Sequence, residues 1–164
     1  RADLSAITAS GDKESAVEPV AVAQPPDEAA IRSMLASRFV GHVQQKPPIH
    51  SAVHVDGQRA YQLARKGQSV TLAARTVRID SIDLLEYNWP MLDLRITCSR
   101  GTYIRSLVPD LGAALGTGGH LASLRRLSVG AFDLSVTVDD KRLESPITQA
   151  DLIPTSAIGD TLGA

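Results

Sequence analysis

The run Cys98-Ser-Arg-Gly-Thr-Tyr-Ile-Arg-Ser-Leu107 puts a tyrosine and an arginine two positions apart, just after a glycine. Ahead of it, Leu92, Leu94, Ile96 and Cys98 alternate with polar residues, the mark of a half-buried strand. Behind it, Ile104, Leu107, Leu111 and Leu115 recur at helical spacing. Gly101 therefore falls at a strand-to-helix turn, where free backbone N–H groups gather at a helix start and favour an anion. Thr102 suits the N-cap. Tyr103 and Arg105 then lie in the first helical turn and point in different directions, so that one can face a pocket while the other anchors it. The plainer alternative is a surface turn that carries an incidental Tyr and Arg.

Charge is distributed to match. The net charge is −1, which argues against a simple nucleic-acid binder. Yet residues 38–126 hold 12 Lys/Arg against 6 Asp/Glu, together with all four histidines, while the acidic residues concentrate at the ends. Arg125-Arg126 is an exposed basic pair that can meet phosphate, or an ordinary solvated pair. The single cysteine, Cys98, leaves no internal disulfide and no cysteine-based zinc site. No metal-ligand cluster and no organic-cofactor motif is evident. Leu115-Gly-Thr-Gly-Gly119 lacks the Gly-Lys-Ser/Thr ending of a phosphate loop, which excludes a P-loop NTPase. No apolar run is long enough to span a membrane, no leader peptide is visible, and a cytoplasmic location is expected. The first residue is Arg rather than Met, as in a fragment.

The elements that must position the turn can be read in order. Residues 1–8 read as the end of a strand and residues 9–26 as a loop closing on Pro25-Pro26. Asp27 and Glu28 open a helix with Ile31, Met34, Leu35 and Phe39 as its apolar stripe, ending near Gly41. Lys46-Pro-Pro48 forces extended backbone. Ile49–Val55 alternates like a strand, Asp56-Gly57 is a turn, and Gln58–Lys66 suits a short helix closed by Gly67. Val70–Leu72 and Arg75–Leu85 read as strands, with a register change before Ile82 and Leu84. Pro109 interrupts the helix after Thr102 or sits in its first turn. Residues 121–134 lead into a strand, and 135–164 form an acidic tail with a short helix near 148–152.

Cys98–Leu107 is followed by Asp110-Leu-Gly112, Leu115-Gly116, Gly119-His-Leu121 and Leu124-Arg-Arg126. It is preceded by Gln45-Lys-Pro-Pro48, Ser51-Ala52, Asp56-Gly57, Ala60-Tyr61, Ala64-Arg-Lys-Gly67 and Arg75-Thr-Val77. In this order the blocks resemble the carboxy-terminal part of the catalytic domain of the TruB family, the bacterial tRNA pseudouridine-55 synthases. The resemblance implies an α+β fold, a mostly antiparallel sheet with flanking helices, spanning residues 1–134. Residues 45–76 would be an insertion that clamps RNA, and 135–164 a tail with no appended RNA-binding domain. It implies isomerisation of a T-loop uridine in tRNA without cofactor or metal. The base is flipped out at a cost of about a few kcal/mol, its glycosidic bond broken, and the ring rejoined through carbon.

By the same resemblance, Tyr103 would contact the flipped base, Arg105 would pair with the catalytic aspartate and Leu124 would wall the base. Gly101 would allow close backbone approach. His50, Arg59, Lys66, Arg100, His120, Arg125 and Arg126 would contact RNA, with His50 standing where the family has a tyrosine. The family's Gly-x-Leu-Asp motif, which carries the catalytic aspartate, is absent from this sequence. Arg105 is thus expected to lack its family partner, and the chain alone to be inactive without a missing amino-terminal half. The alternative is a non-enzymatic RNA-binding module of the same fold.

Overall fold

The structure is a computed structural model, and it describes residues 1–48, 54–55, 58–59 and 72–153, the two pairs 54–55 and 58–59 by their backbone alone. The described chain divides into a larger unit, Arg1–Leu124, and a smaller one from Arg125 onward.

The larger unit is built on a five-stranded sheet of order β4-β7-β8-β1-β9. Its strands are β1 (Ala2–Asp3), β4 (Gly41–Gln45), β7 (Arg75–Asn88), β8 (Met91–Cys98) and β9 (His120–Leu121), every pair antiparallel. Two separate hairpins are also present: β2 (Ala6–Thr8) with β3 (Val17–Pro19), and β5 (His54–Val55) with β6 (Gln58–Arg59). The α+β, mostly antiparallel expectation holds. The hairpin β7–β8 dominates because its sequence alternates. Val77 and Ile79 are buried while Thr76, Arg78 and Asp80 are exposed. A bulge between Ile79 and Ser81 then moves the buried parity to Ile82 and Leu84, the register change read from the sequence.

Helix α1 (Glu28–Met34) starts where the carboxylates placed it, with Asp27 accepting from the Ala30 amide at 2.7 Å. It runs on into a π-helical turn, Leu35–Phe39. Ile31, Leu35 and Phe39 of this arm join Ile79, Leu84, Leu92 and Leu121 of the sheet and Leu107, Val108 and Leu111 of helix α2 (Ile104–Leu115) in a single apolar cluster. α2 closes on Gly116 in the left-handed region.

Several expectations are corrected. The stretch 9–26 is not all loop: Val17–Pro19 pairs with β2. The helical run ends at Phe39, just before the expected Gly41, and Gly41–Gln45 is an edge strand that was not expected; with Val43 as its lone aliphatic residue it shows no period-2 signal. Gln58–Arg59 is strand where a helix start was expected, because it pairs back onto His54–Val55. The rest of that expected helix, and Ile49–Val53, lie outside the described residues. Leu72 is buried but in no strand. α2 starts one residue later than Thr102 implied, with Tyr103 at its N-cap position. Pro109 falls inside α2 without breaking it.

The smaller unit holds the hairpin β10 (Ser128–Val129) with β11 (Phe132–Asp133), a 3-10 turn at Leu134–Val136 and a short helix, α3 (Asp140–Leu143). A second 3-10 turn, Gln149–Asp151, carries a Thr148 capping box near the expected short helix. Arg142 binds Asp151 here and, with the Thr148 bonds, holds that carboxyl down at about 2.

Candidate functional site

The turn between β8 and α2 is fixed from several sides. The Ser99 amide donates to the Arg78 carbonyl at 2.8 Å, and the Ser99 hydroxyl accepts from the Arg78 amide at 3.1 Å. Gly101 then takes a φ of +80°, which few side chains tolerate. Its carbonyl accepts from an Arg75 guanidinium nitrogen at 2.5 Å, and the same guanidinium lies 4.9 Å from the centroid of the Tyr103 ring. Thr102 is no cap: its hydroxyl is buried and has no partner among the described residues.

Gln45 approaches Tyr103 from the end of β4. Its side-chain oxygen accepts from the Tyr103 amide at 2.7 Å, and its side-chain nitrogen donates to the Tyr103 carbonyl at 2.8 Å. Next to it, the Ser106 hydroxyl donates to the Lys46 carbonyl at 2.9 Å. Gln45 is also opposite Arg75 in the sheet register, so the chain leaves the sheet and returns to it at the same turn.

Arg105, one helical position past Ile104, reaches the loop that follows β2. Its Nε lies 2.7 Å from Asp12 Oδ2, and a terminal nitrogen lies 3.9 Å from Glu14. The other Asp12 oxygen accepts from the Ser10 hydroxyl at 2.7 Å and from the Glu14 amide at 3.0 Å. Asp12 is mostly buried, with a side chain only 12% accessible. Arg105, expected to lack the aspartate of the Gly-x-Leu-Asp motif, pairs instead with Asp12. The sequence signal was the turn Thr8-Ala-Ser-Gly-Asp12, whose tertiary placement no spacing rule gives. That placement is backbone-driven. The Gly11 carbonyl accepts from the Leu121 amide at 2.8 Å. A Cβ on Gly11 would lie 2.7 Å from the Arg105 carbonyl oxygen. Pro109 lacks the N–H that would otherwise bond that carbonyl from one turn on, and its ring also borders Gly11.

The structure thus brings Gly101, Tyr103 and Arg105 together on one turn, with Arg100 exposed beside them. Leu124 stands at the end of the larger unit and is 62% exposed. Arg125 and Arg126 are exposed in the smaller unit. His120 is corrected: expected at the RNA surface, it is 2% exposed, and a ring nitrogen lies 3.4 Å from the Ala6 carbonyl, so it is a packed core group. His50 and Lys66 lie outside the described residues, and Arg59 is placed only by its backbone in β6. Among the described residues no three His, Cys, Asp or Glu gather as metal ligands, and no helix is long and apolar enough to cross a membrane.

A separate cleft of about 590 Å³ runs between β4 and α2. Arg38, His42 and Lys46 line it, with Asp110 and Ala113 across from them. Neither Tyr103 nor Arg105 borders it.

Comparison with known proteins bears on the turn directly. The family described as TruB family pseudouridylate synthase (N terminal domain) matches residues 1–104, and the tRNA pseudouridylate synthase B C-terminal domain matches residues 105–150. The tRNA pseudouridine synthase B of Phocaeicola vulgatus is 47% identical over 130 residues, covering 77% of this chain and 54% of that protein. The protein of the same name from Ralstonia pickettii is 42% identical, covering 94% of this chain and 50% of that protein. A chain in the crystal structure of a Cbf5-Nop10-Gar1 complex superposes with a TM-score of 0.53 at 30% identity, over 68% of this chain and 28% of that one. The chain spans about half the length of the curated relatives it matches. With one family description running from Arg1 through the Gly101–Tyr103 turn and into α2, the chain belongs to the TruB family of pseudouridylate synthases.

Proposed function

We propose that this chain forms the supporting part of a tRNA pseudouridine synthase site, acting on a flipped uridine of the T-loop at position 55. The observation that carries the reading is one braced turn that sets Tyr103, its ring under the Arg75 guanidinium, two residues before Arg105, which the mostly buried Asp12 holds. In this reading the Tyr103 phenol contacts the uracil and serves the proton at carbon-5, and the exposed Leu124 covers the base as an apolar wall. Arg105, already oriented by Asp12, presents its remaining donors to the reacting carboxylate, which a Gly-x-Leu-Asp segment outside this sequence supplies. A cation held in place keeps that carboxylate ionised. Residues 45–76 form the RNA-clamping insertion. Arg59, Lys66, Arg100, Arg125 and Arg126 meet phosphates, and His50 meets a base.

Rejoining uracil to ribose through carbon-5 displaces the hydrogen there, so tritium release from 5-tritiated uridine in a T-arm hairpin reads the reaction. The chain is assayed alone and then with the amino-terminal portion of a curated relative. Release only with the added portion is the expected result. Release by the chain alone would place the nucleophile among its own carboxylates, Asp12 first. No release from the associated pair would overturn the reading.

A further inference from the structure

Tyr103 sits at the junction of turn and helix, with φ −99° and ψ 103°: its carbonyl accepts from the Ser106 and Leu107 amides at 3.1 and 3.2 Å, but its own amide lies outside the helical bonding. No side chain caps the helix at this position. Something outside the helix must set the angle at which α2 departs, and Arg105 lies only two residues further on. The group that meets Tyr103 there is Gln45, on a strand 58 positions away and 1% exposed. A buried primary amide is costly unless its donors and acceptor are used. Here the acceptor takes the one backbone donor of Tyr103, and a donor joins the two helix amides already on its carbonyl. The pairing is reciprocal, so rotation at Tyr103 breaks both bonds together. An apolar side chain of the same volume could fill the space but could not specify the angle.

We propose that Gln45 is a positioning residue: by clamping both backbone polar groups of Tyr103, it sets how α2 leaves the turn, and so carries the Tyr103 ring to Arg75 and the Arg105 guanidinium to Asp12. The catalytic half of the statement rests on the function proposed above; the geometric half does not.

Gln45→Glu separates the two. A carboxylic acid reproduces both bonds, its carbonyl accepting from the Tyr103 amide and its O–H donating to the Tyr103 carbonyl. The carboxylate keeps the first bond and sets an acceptor against an acceptor in the second. Burial raises the pKa of such a group, while the Tyr103 amide and the Arg75 cation opposite lower it, so the midpoint is read from the titration itself. The first readout is NMR of the chain itself. In Gln45→Glu, the Tyr103 amide and the Arg105 Nε–H resonances should shift together with one pH midpoint, returning toward the parent positions in acid. If the Tyr103 amide shifts while Arg105 Nε–H does not, Gln45 only pins the turn and the proposal is overturned.

The second readout is turnover in the full-length protein that carries this sequence. Above the midpoint kcat should fall on the order of tenfold to a hundredfold, with KM for the T-arm hairpin little changed and the deficit recovered below it. Gln45→Met should show no recovery at any pH. A Gln45→Glu profile parallel to the parent would overturn the proposal. If the parent itself does not turn over, the proposed function fails, and the paired NMR shifts still decide the positioning of Arg105.

Discussion

Arg105 meets Asp12 and Glu14, two carboxylates of one loop, at 2.7 and 3.9 Å, and the nearer one is largely shielded from water. Arg105→Ala therefore has two consequences. Asp12 loses the cation that compensates its charge, which should cost about 1–3 kcal/mol of stability. Under the proposed function, turnover by the chain paired with a relative's amino-terminal portion should fall more than hairpin affinity does, because there Arg105 serves the reacting carboxylate rather than the RNA. Urea titration and single-turnover tritium release read the two effects; a loss confined to affinity would contradict the assigned role. Tyr103 and Arg105 were legible from sequence because an alternating strand runs into a helical period at Gly101. Asp12 was not, because the contact depends on β1 lying between β8 and β9, and no local pattern encodes that adjacency. His120 was misread for a related reason: its polar side chain gives no sign that the Ala6 carbonyl awaits it inside.

At the scale of elements, α2 is held by close backbone approach on one flank. A Cβ on Gly112 would lie 2.1 Å from the Gly118 carbonyl oxygen and 2.8 Å from the Gly119 nitrogen, all main chain that cannot swing aside. In a free helix Ala would be favoured over Gly by about 1 kcal/mol, and here the clash should outweigh that preference. Gly116→Ala meets open space and carries only the strain of its φ of +72°, about 1 kcal/mol. Chemical denaturation should thus rank Gly112→Ala as the more damaging of the two; the reverse order would mean that α2 can shift away from the 117–119 turn. The element-level reading succeeded where periodicity is strong, in β7, β8, α1 and α2. It failed at Gly41–Gln45, whose polar composition says nothing of an edge strand and whose buried Gln45 is explained only by the Tyr103 backbone it meets.

For the whole molecule, the sign of the charge matters less than where it lies. A net charge of −1 gives no general attraction to RNA, so binding must come from local cations. If the basic residues named above meet phosphates, log affinity for a T-arm hairpin should fall linearly with log salt. The slope should be about 0.7–0.9 for each neutralised phosphate. Filter binding or fluorescence anisotropy across a salt series checks this, and a flat response would reject the assignment. The cleft beside β4 bears on a different hazard. Among the described residues β4 ends its sheet, and a terminal strand is a template on which a second molecule can add its own. Arg38 and Lys46 flank that strand, so two copies meeting there would bring like charges together, and the same cations that line a cleft also oppose growth along the sheet edge.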